Sequence, residues 1–146
     1  MTPYTPDSIR TVLTRLPLFS ELSDAEITML LPGVREYTMR AHEMLFHKGE
    51  RLDGIHIVVS GQIRLFMPGQ QGTEKLIYTM NPGASFAEGV IFLDTPCPVS
   101  AQATQDGTLL VASRGVLLEV LDCDPKFARK MLTSLSTKLH QLMMDM

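Results

Sequence analysis

Gly54-Ile55-His56-Ile57-Val58-Val59-Ser60-Gly61-Gln62-Ile63-Arg64 reads as a strand, a tight Ser-Gly turn and the start of a second strand running on to Met67. Outward from it lie other short runs rich in apolar and β-branched residues: Glu43–His47, Glu74–Met80, Ser100–Thr104 and Thr108–Ala112. Lys48-Gly49-Glu50, Pro68-Gly69, Asn81-Pro82-Gly83 and Gln105-Asp106-Gly107 punctuate them, each with the residues that turns require. Short strands spaced in this way, with no helical crossover between them, predict a sandwich or barrel and argue against a parallel α/β sheet. This strand zone extends from Val34 to about residue 118.

Helical signals flank it. In the first 33 residues Leu13, Leu16, Phe19 and Leu22 recur at helical intervals, although Pro17 breaks the run. Ser23-Asp24-Ala25-Glu26 has the form of a capping box, Ile27, Leu30 and Leu31 supply an apolar face, and Pro32-Gly33 stops the helix. At the other end Pro125 suits a first helical turn, with Asp122 or Asp124 as cap. Beyond Ala128 the residues Met131, Leu132, Leu135, Leu139, Leu142 and Met146 form a narrow stripe. Such a stripe either packs on the chain's own barrel or forms a coiled-coil seam with a second copy. The seam is the favoured reading, because the stripe outlasts what a small roll can cover. The stripe is still running at Met146, which leads one to expect a longer protein. The organisation expected is a helical segment 1–33, a β core 34–121 and a terminal helix 122–146.

Composition narrows the function. The chain has 146 residues, 45% hydrophobic and 20% charged, with a net charge of −3 at pH 7, values of one globular domain without the basic surface that nucleic acid demands. No apolar run approaches a membrane span and the first residues lack a secretory pattern. Cys97 and Cys123 are too few for a disulfide scaffold or an iron–sulfur cluster, and a reduced, cytoplasmic setting is expected. No nucleophile elbow, phosphate-binding glycine loop or His-Glu-x-x-His pair is present, so no enzymatic reading is supported.

The ordered set of Gly49-Glu50, Gly54–Arg64, Asn81-Pro82-Gly83-Ala84-Ser85-Phe86-Ala87-Glu88 and Ser100-Ala101 resembles cyclic-nucleotide-binding β-rolls. With its helical flanks, the chain is similar to the sensor half of the CRP/FNR family of bacterial transcription regulators. Phe86-Ala87-Glu88, Phe92-Leu93-Asp94-Thr95-Pro96 and Leu135–Gln141 are similar to the nitric-oxide-responsive regulators of denitrification, the DNR type. The resemblance implies a mainly β fold with flanking helices: a double-stranded, jelly-roll-like β-helix followed by a long dimerisation helix carrying Met131, Leu135, Leu139, Leu142 and Met146. It further implies an effector pocket at Phe86, Ala87, Glu88, Val99 and Ser100. A cytoplasmic homodimer is implied, with no membrane partner. Contact with DNA, and with RNA polymerase, would come through a helix-turn-helix domain absent from this sequence.

Departures from the family pattern bear on the ligand. Glu88 stands where the family's glutamate meets the ribose, but the arginine that neutralises a cyclic phosphate falls on Pro98 or Val99. No basic residue lies between Glu88 and Arg114. A phosphate buried beside Glu88 without a cation faces repulsion and uncompensated desolvation. Cyclic nucleotide is therefore disfavoured, and Glu88 reads as a structural carboxylate. The DNR likeness implies haem and nitric oxide instead. Of His42, His47, His56 and His140, the resemblance makes His140 the better candidate haem ligand and His56 the second, although a surface or hydrogen-bonded core histidine is the plainer reading of each. The methionines read as adaptable packing. Cys97, on a proline-stiffened loop, reads as a passive loop residue, with a reactive, exposed thiol as the lesser alternative, and Cys123 is blunted by Asp122 and Asp124. Two other functions fit the same sequence: a stand-alone cyclic-nucleotide-binding module, and a dimerisation domain whose pocket binds nothing.

Overall fold

Two long strands organise the β region. In the computed structural model, which describes residues 4–145, β3 (Gly54–Pro68) and β6 (Ser100–Ser113) run antiparallel along most of their length. The turns expected at Ser60-Gly61 and Gln105-Asp106-Gly107 do not reverse the chain. They are irregularities within the paired strands, where the register shifts between Val58, Ser60, Gln62 and Ile63. Such shifts bend a ladder and increase its twist, so each long strand serves both halves of a roll. Gly61 takes φ +84° at the bend, and a Cβ on Gly107 would lie 2.1 Å from the Ser60 carbonyl oxygen.

Four shorter strands complete the sheet. β1 (Val34–Met39) and β2 (Met44–Phe46) pair with β6, while β4 (Glu74–Met80) and β5 (Ser85–Phe86) pair with β3, all antiparallel. β1 carries charged and polar residues among its apolar ones, which hid it from a reading based on apolar runs. Inside the roll lie Met39, Phe46, Val58, Ile63, Leu65, Phe86, Cys97, Ala101, Ala103 and Leu109. This is the expected jelly-roll-like architecture with flanking helices and a long terminal helix.

Two short helices fall within or begin inside the zone that the sequence reads as strands. α3 (Glu88–Leu93) follows β5, and α4 (Arg114–Cys123) begins where β6 ends, inside the stretch read as strand. The chain forms two compact units: Val34–Arg114, and the residues before and after it. In the second unit α1 (Pro6–Thr14) is capped by Thr5 and α2 (Asp24–Leu30) by Ser23, whose capping box with Glu26 is formed as the sequence predicts. Between α1 and α2, Leu16, Phe19 and Leu22 are buried, but on successive three-residue turns rather than on a helix. The terminal helix α5 (Pro125–Met144) starts with Pro125 and is capped by Asp124, whose carboxylate accepts from the Lys126 and Phe127 amides. Among the described residues no helix is long and apolar enough to cross a membrane.

Candidate functional site

Ser85 and Phe86 enter the site as β5, paired to Ile57 and His56 of β3. The approach is held by the Val58 amide on the Ala84 carbonyl (3.0 Å) and the Gly83 amide on the Val58 carbonyl (2.9 Å). Ala87 then turns through the left-handed region at φ 77° to start α3, a conformation costing a non-glycine residue roughly 1–2 kcal/mol. Glu88, the first residue of α3, is buried, and the Ser85 hydroxyl donates to its Oε1 at 2.6 Å. The carboxylate is thus engaged within the cassette before any ligand arrives.

Three rings close the space behind Phe86. The centroids of Phe86 and His56 are 5.2 Å apart, those of Phe46 and His56 5.5 Å, and those of Phe46 and Phe86 6.3 Å. His56 is buried and its Nδ1–H donates to the Gly54 carbonyl at 3.0 Å. A carbonyl only accepts, so the proton of the neutral ring sits on Nδ1. Burial pushes the imidazole below its ordinary value; the Gly54 carbonyl and the charges of Asp53 and Glu88 pull the other way, and Arg35 reinforces the fall.

The far side of the cassette is closed at Cys97. Its amide donates to the Glu50 carbonyl and its carbonyl accepts from the Gly49 amide, both at 2.8 Å, so the loop is stitched down and the thiol is buried with 4% exposure. Desolvation raises the thiol further above neutrality, which disfavours the reactive alternative for Cys97. Pro98 is exposed and Val99 half-buried, and neither carries charge. Ser100 is buried, its hydroxyl oxygen accepting from the Lys48 amide at 2.9 Å. Phe86, Ala87, Glu88, Val99 and Ser100 all belong to the unit that holds the roll, as does His56.

The other imidazoles are dispersed. His42 lies in a turn at φ 74°, and the His47 ring pairs with Glu50 at 3.2 Å. Neither is part of β2. His140 is exposed on α5, on a helix face that also presents Arg129, Leu132, Thr133, Ser136 and Thr137. Among the described residues no group of three or more His, Cys, Asp or Glu side chains is arranged to hold a metal ion. Along the expected seam Met131 is buried and Leu135 half-buried, while Leu132, Leu139 and Leu142 are 65%, 60% and 42% exposed. Met146 lies outside the described residues.

Sequence reasoning missed Phe46, which completes the ring cluster, and the arginines that meet the end of α3. Arg51 reaches Asp94, and Arg114 reaches both Asp94 and the Ile91 carbonyl. The only signal was Arg114 itself, the first basic residue after Glu88.

Residues 36–124 match the model of the cyclic nucleotide-binding domain, and the chain belongs to that family. Its arrangement is that of a CRP/FNR sensor domain. It is similar to the cyclic AMP receptor protein of Thermus thermophilus, 26% identical over 125 residues, which covers 86% of this chain and 58% of that protein. The crystal structure of DNR from Pseudomonas aeruginosa superimposes with a TM-score of 0.83 at 26% identity, covering 99% of this chain and 63% of that one. The separately solved sensor domain of the same regulator gives 0.81 at 25% identity, covering 97% and 95%. The chain therefore spans about three-fifths of the length of the Thermus protein and of full-length DNR.

Proposed function

We propose that this chain is the effector-sensing and dimerisation domain of a CRP/FNR-type transcription regulator. In this reading it is a cytoplasmic homodimer that reaches DNA and RNA polymerase only through a further domain and catalyses no reaction. The supporting observation is the cassette itself, which keeps a buried glutamate at the start of α3 and has Pro98 and Val99 where a phosphate-neutralising cation belongs. Burying a phosphate anion near Glu88 without a counter-charge costs several kcal/mol. Arg51 and Arg114 are already committed to Asp94 and to main-chain carbonyls. The effector is accordingly one that does not depend on a cyclic phosphate.

The DNR likeness supports haem as a finer reading, with nitric oxide as the signal for nitrogen-oxide respiration. The residues of α5 fit the group: His140 offers an exposed imidazole, Leu132 an apolar surface and Arg129 a counter-charge for a carboxylate on one helix face. His56 fits poorly, since its Nδ1 is engaged and its ring is closed between Phe46 and Phe86. Bound haem supplies an iron centre for a diatomic gas.

Parallel titrations of the purified domain with cyclic AMP, cyclic GMP and haem test this. The expected result is no saturable nucleotide binding at millimolar concentration, and one-to-one haem uptake that His140→Ala abolishes and His56→Phe leaves intact. Saturable nucleotide binding overturns the proposal in favour of a cyclic-nucleotide module. Haem uptake indifferent to both histidines removes the gas-sensing reading alone, and failure of every ligand leaves a dimerisation domain.

A further inference from the structure

The end of α5 exposes three soft donors that no contact employs. His140 is exposed and, among the described residues, its imidazole makes no hydrogen bond or ion pair. Met143 and Met144 follow it, 62% and 70% exposed. Residues three and four positions on from a given one share its side of a helix, with Cβ atoms about 5–6 Å away. Methionine is unbranched and flexible, so both sulfurs can swing to the imidazole without moving the backbone. Packing does not account for the pair. Counted with Leu132 and Leu139 as the first heptad position, His140 and Met144 take the second and sixth, on the outer side of a two-stranded seam, and Met143 takes the fifth, at its margin. The donors therefore stay accessible whether the chain is single or paired.

The chemistry of the donors names the ion. Zinc, magnesium and calcium call for sets of imidazole, thiolate or carboxylate, and none gathers among the described residues. One imidazole and two thioethers form a soft set, and thioether sulfur selects Cu(I). Charge agrees with this choice. No basic residue occupies the last turn of α5, where the helix dipole ends negative and favours a cation. We infer that His140, Met143 and Met144 form a surface site for one Cu(I) ion, held by a ring nitrogen and two thioether sulfurs. The inference goes beyond the proposed function. It shares His140 with the haem reading but depends on the two sulfurs, which that reading does not use.

Anaerobic titration of the purified chain with Cu(I), in competition with the chromogenic chelator bicinchoninate, tests the site. It is run in Cys123→Ser, which removes the exposed thiol as a rival ligand; Cys97 is buried. The expected result is one equivalent of Cu(I) per chain, lost in His140→Ala. Met143→Leu and Met144→Leu should each weaken binding by about tenfold or more, since even groups that merely orient a metal ligand are worth that much. Leucine keeps the volume and the helix propensity of methionine, so the fold is retained. Cu(I) is diamagnetic, and the chain has ten methionines, whose methyl signals provide a second readout. The signals that Cu(I) shifts should be those missing from the two leucine variants. No uptake, uptake that ignores both leucine variants, or shifts confined to other methionines overturns the proposal. The leucine variants should keep whatever haem uptake the parent chain shows, which separates this site from the haem reading; joint loss of both overturns it.

Discussion

Lys130 of α5 donates to Glu26 Oε1 of α2 at 2.6 Å, across 104 residues of sequence, and the same oxygen accepts the Ser23 amide at 2.8 Å. One carboxylate thereby caps α2 and ties it to the terminal helix. Its side chain is 7% exposed and that of Lys130 33%. Burial alone would raise the Glu26 carboxyl; the bonds from Lys130 and Ser23 outweigh it and hold the group below its ordinary value of 4.5. A depressed carboxylate stabilises the fold above that value, and its contribution is lost as pH falls through the lowered one. Glu26→Gln should therefore cost about 1–3 kcal/mol at pH 7 in urea unfolding, and the gap to the parent chain should narrow at pH 3. A gap that stays constant with pH would mean that the ion pair contributes nothing.

That pair shows where sequence reasoning stops. The capping half of it, Ser23 with Glu26, was legible because both partners lie within one helical turn, as was the Asp124 cap of α5. The Lys130 half requires knowing which helices meet. The same divide runs through the cassette. Phe86 and Glu88 were found from their motif, while Phe46, Arg51 and Arg114 arrive from β2, a loop and the β6–α4 junction. Local signals also misled. Gln105-Asp106-Gly107 has turn composition, yet it continues β6, with the Asp106 carboxylate accepting the Ala41 amide at 2.7 Å. α3 was invisible because six residues between left-handed Ala87 and Asp94, without a side-chain cap, leave no helical period. The burial of Cys97 was not legible, because the bonds to Gly49 and Glu50 that hold its loop down join segments far apart in sequence.

His56 sets a second pH dependence in a separate window. Its pKa is lowered chiefly by burial, so the unfolded chain takes up a proton near pH 6.5 while the folded chain resists it. Stability is full above that value and falls as pH drops below it. Groups facing the ring act on this balance: Asp53 and Glu88 soften the fall and Arg35 steepens it. Thermal unfolding between pH 7.5 and 5.5 should show the decline in the parent chain and a flatter profile in His56→Phe, whose ring suits the space beside Phe46 and Phe86. Parallel profiles would rule His56 out as the cause.

The proposed dimer rests on side chains that one chain leaves uncovered. Leu132 and Leu139 are 65% and 60% exposed, seven residues apart and hence on one side of a helix packed at coiled-coil period. Charge placed there does not disturb the core of a single chain, but in a seam it is buried without a partner. Leu139→Glu should weaken dimerisation by about 3 kcal/mol, roughly a hundredfold, while leaving the circular dichroism unchanged. Sedimentation equilibrium decides: a mass that stays dimeric in the variant, or is monomeric in the parent, excludes this seam.

Gly107 and Gly89 allow the bend of the roll to be tested against an internal control. A Cβ on Gly107 would meet the Ser60 carbonyl oxygen at 2.1 Å and the Gly61 Cα at 2.7 Å, all backbone, whereas one on Gly89 meets nothing within 4 Å. Backbone cannot yield as a flexible side chain does, so Gly107→Ala must push β6 away from β3 at the point where both strands bend. A cost of about 3 kcal/mol is expected, with a lower urea midpoint. Gly89 lies inside α3, where alanine loses less chain entropy on folding, so Gly89→Ala should instead stabilise by about 0.5–1 kcal/mol. Opposite signs for the same substitution would establish that close strand approach, rather than glycine content, shapes the roll. Equal small effects would show that the bend tolerates a side chain and that the two long strands are held together elsewhere.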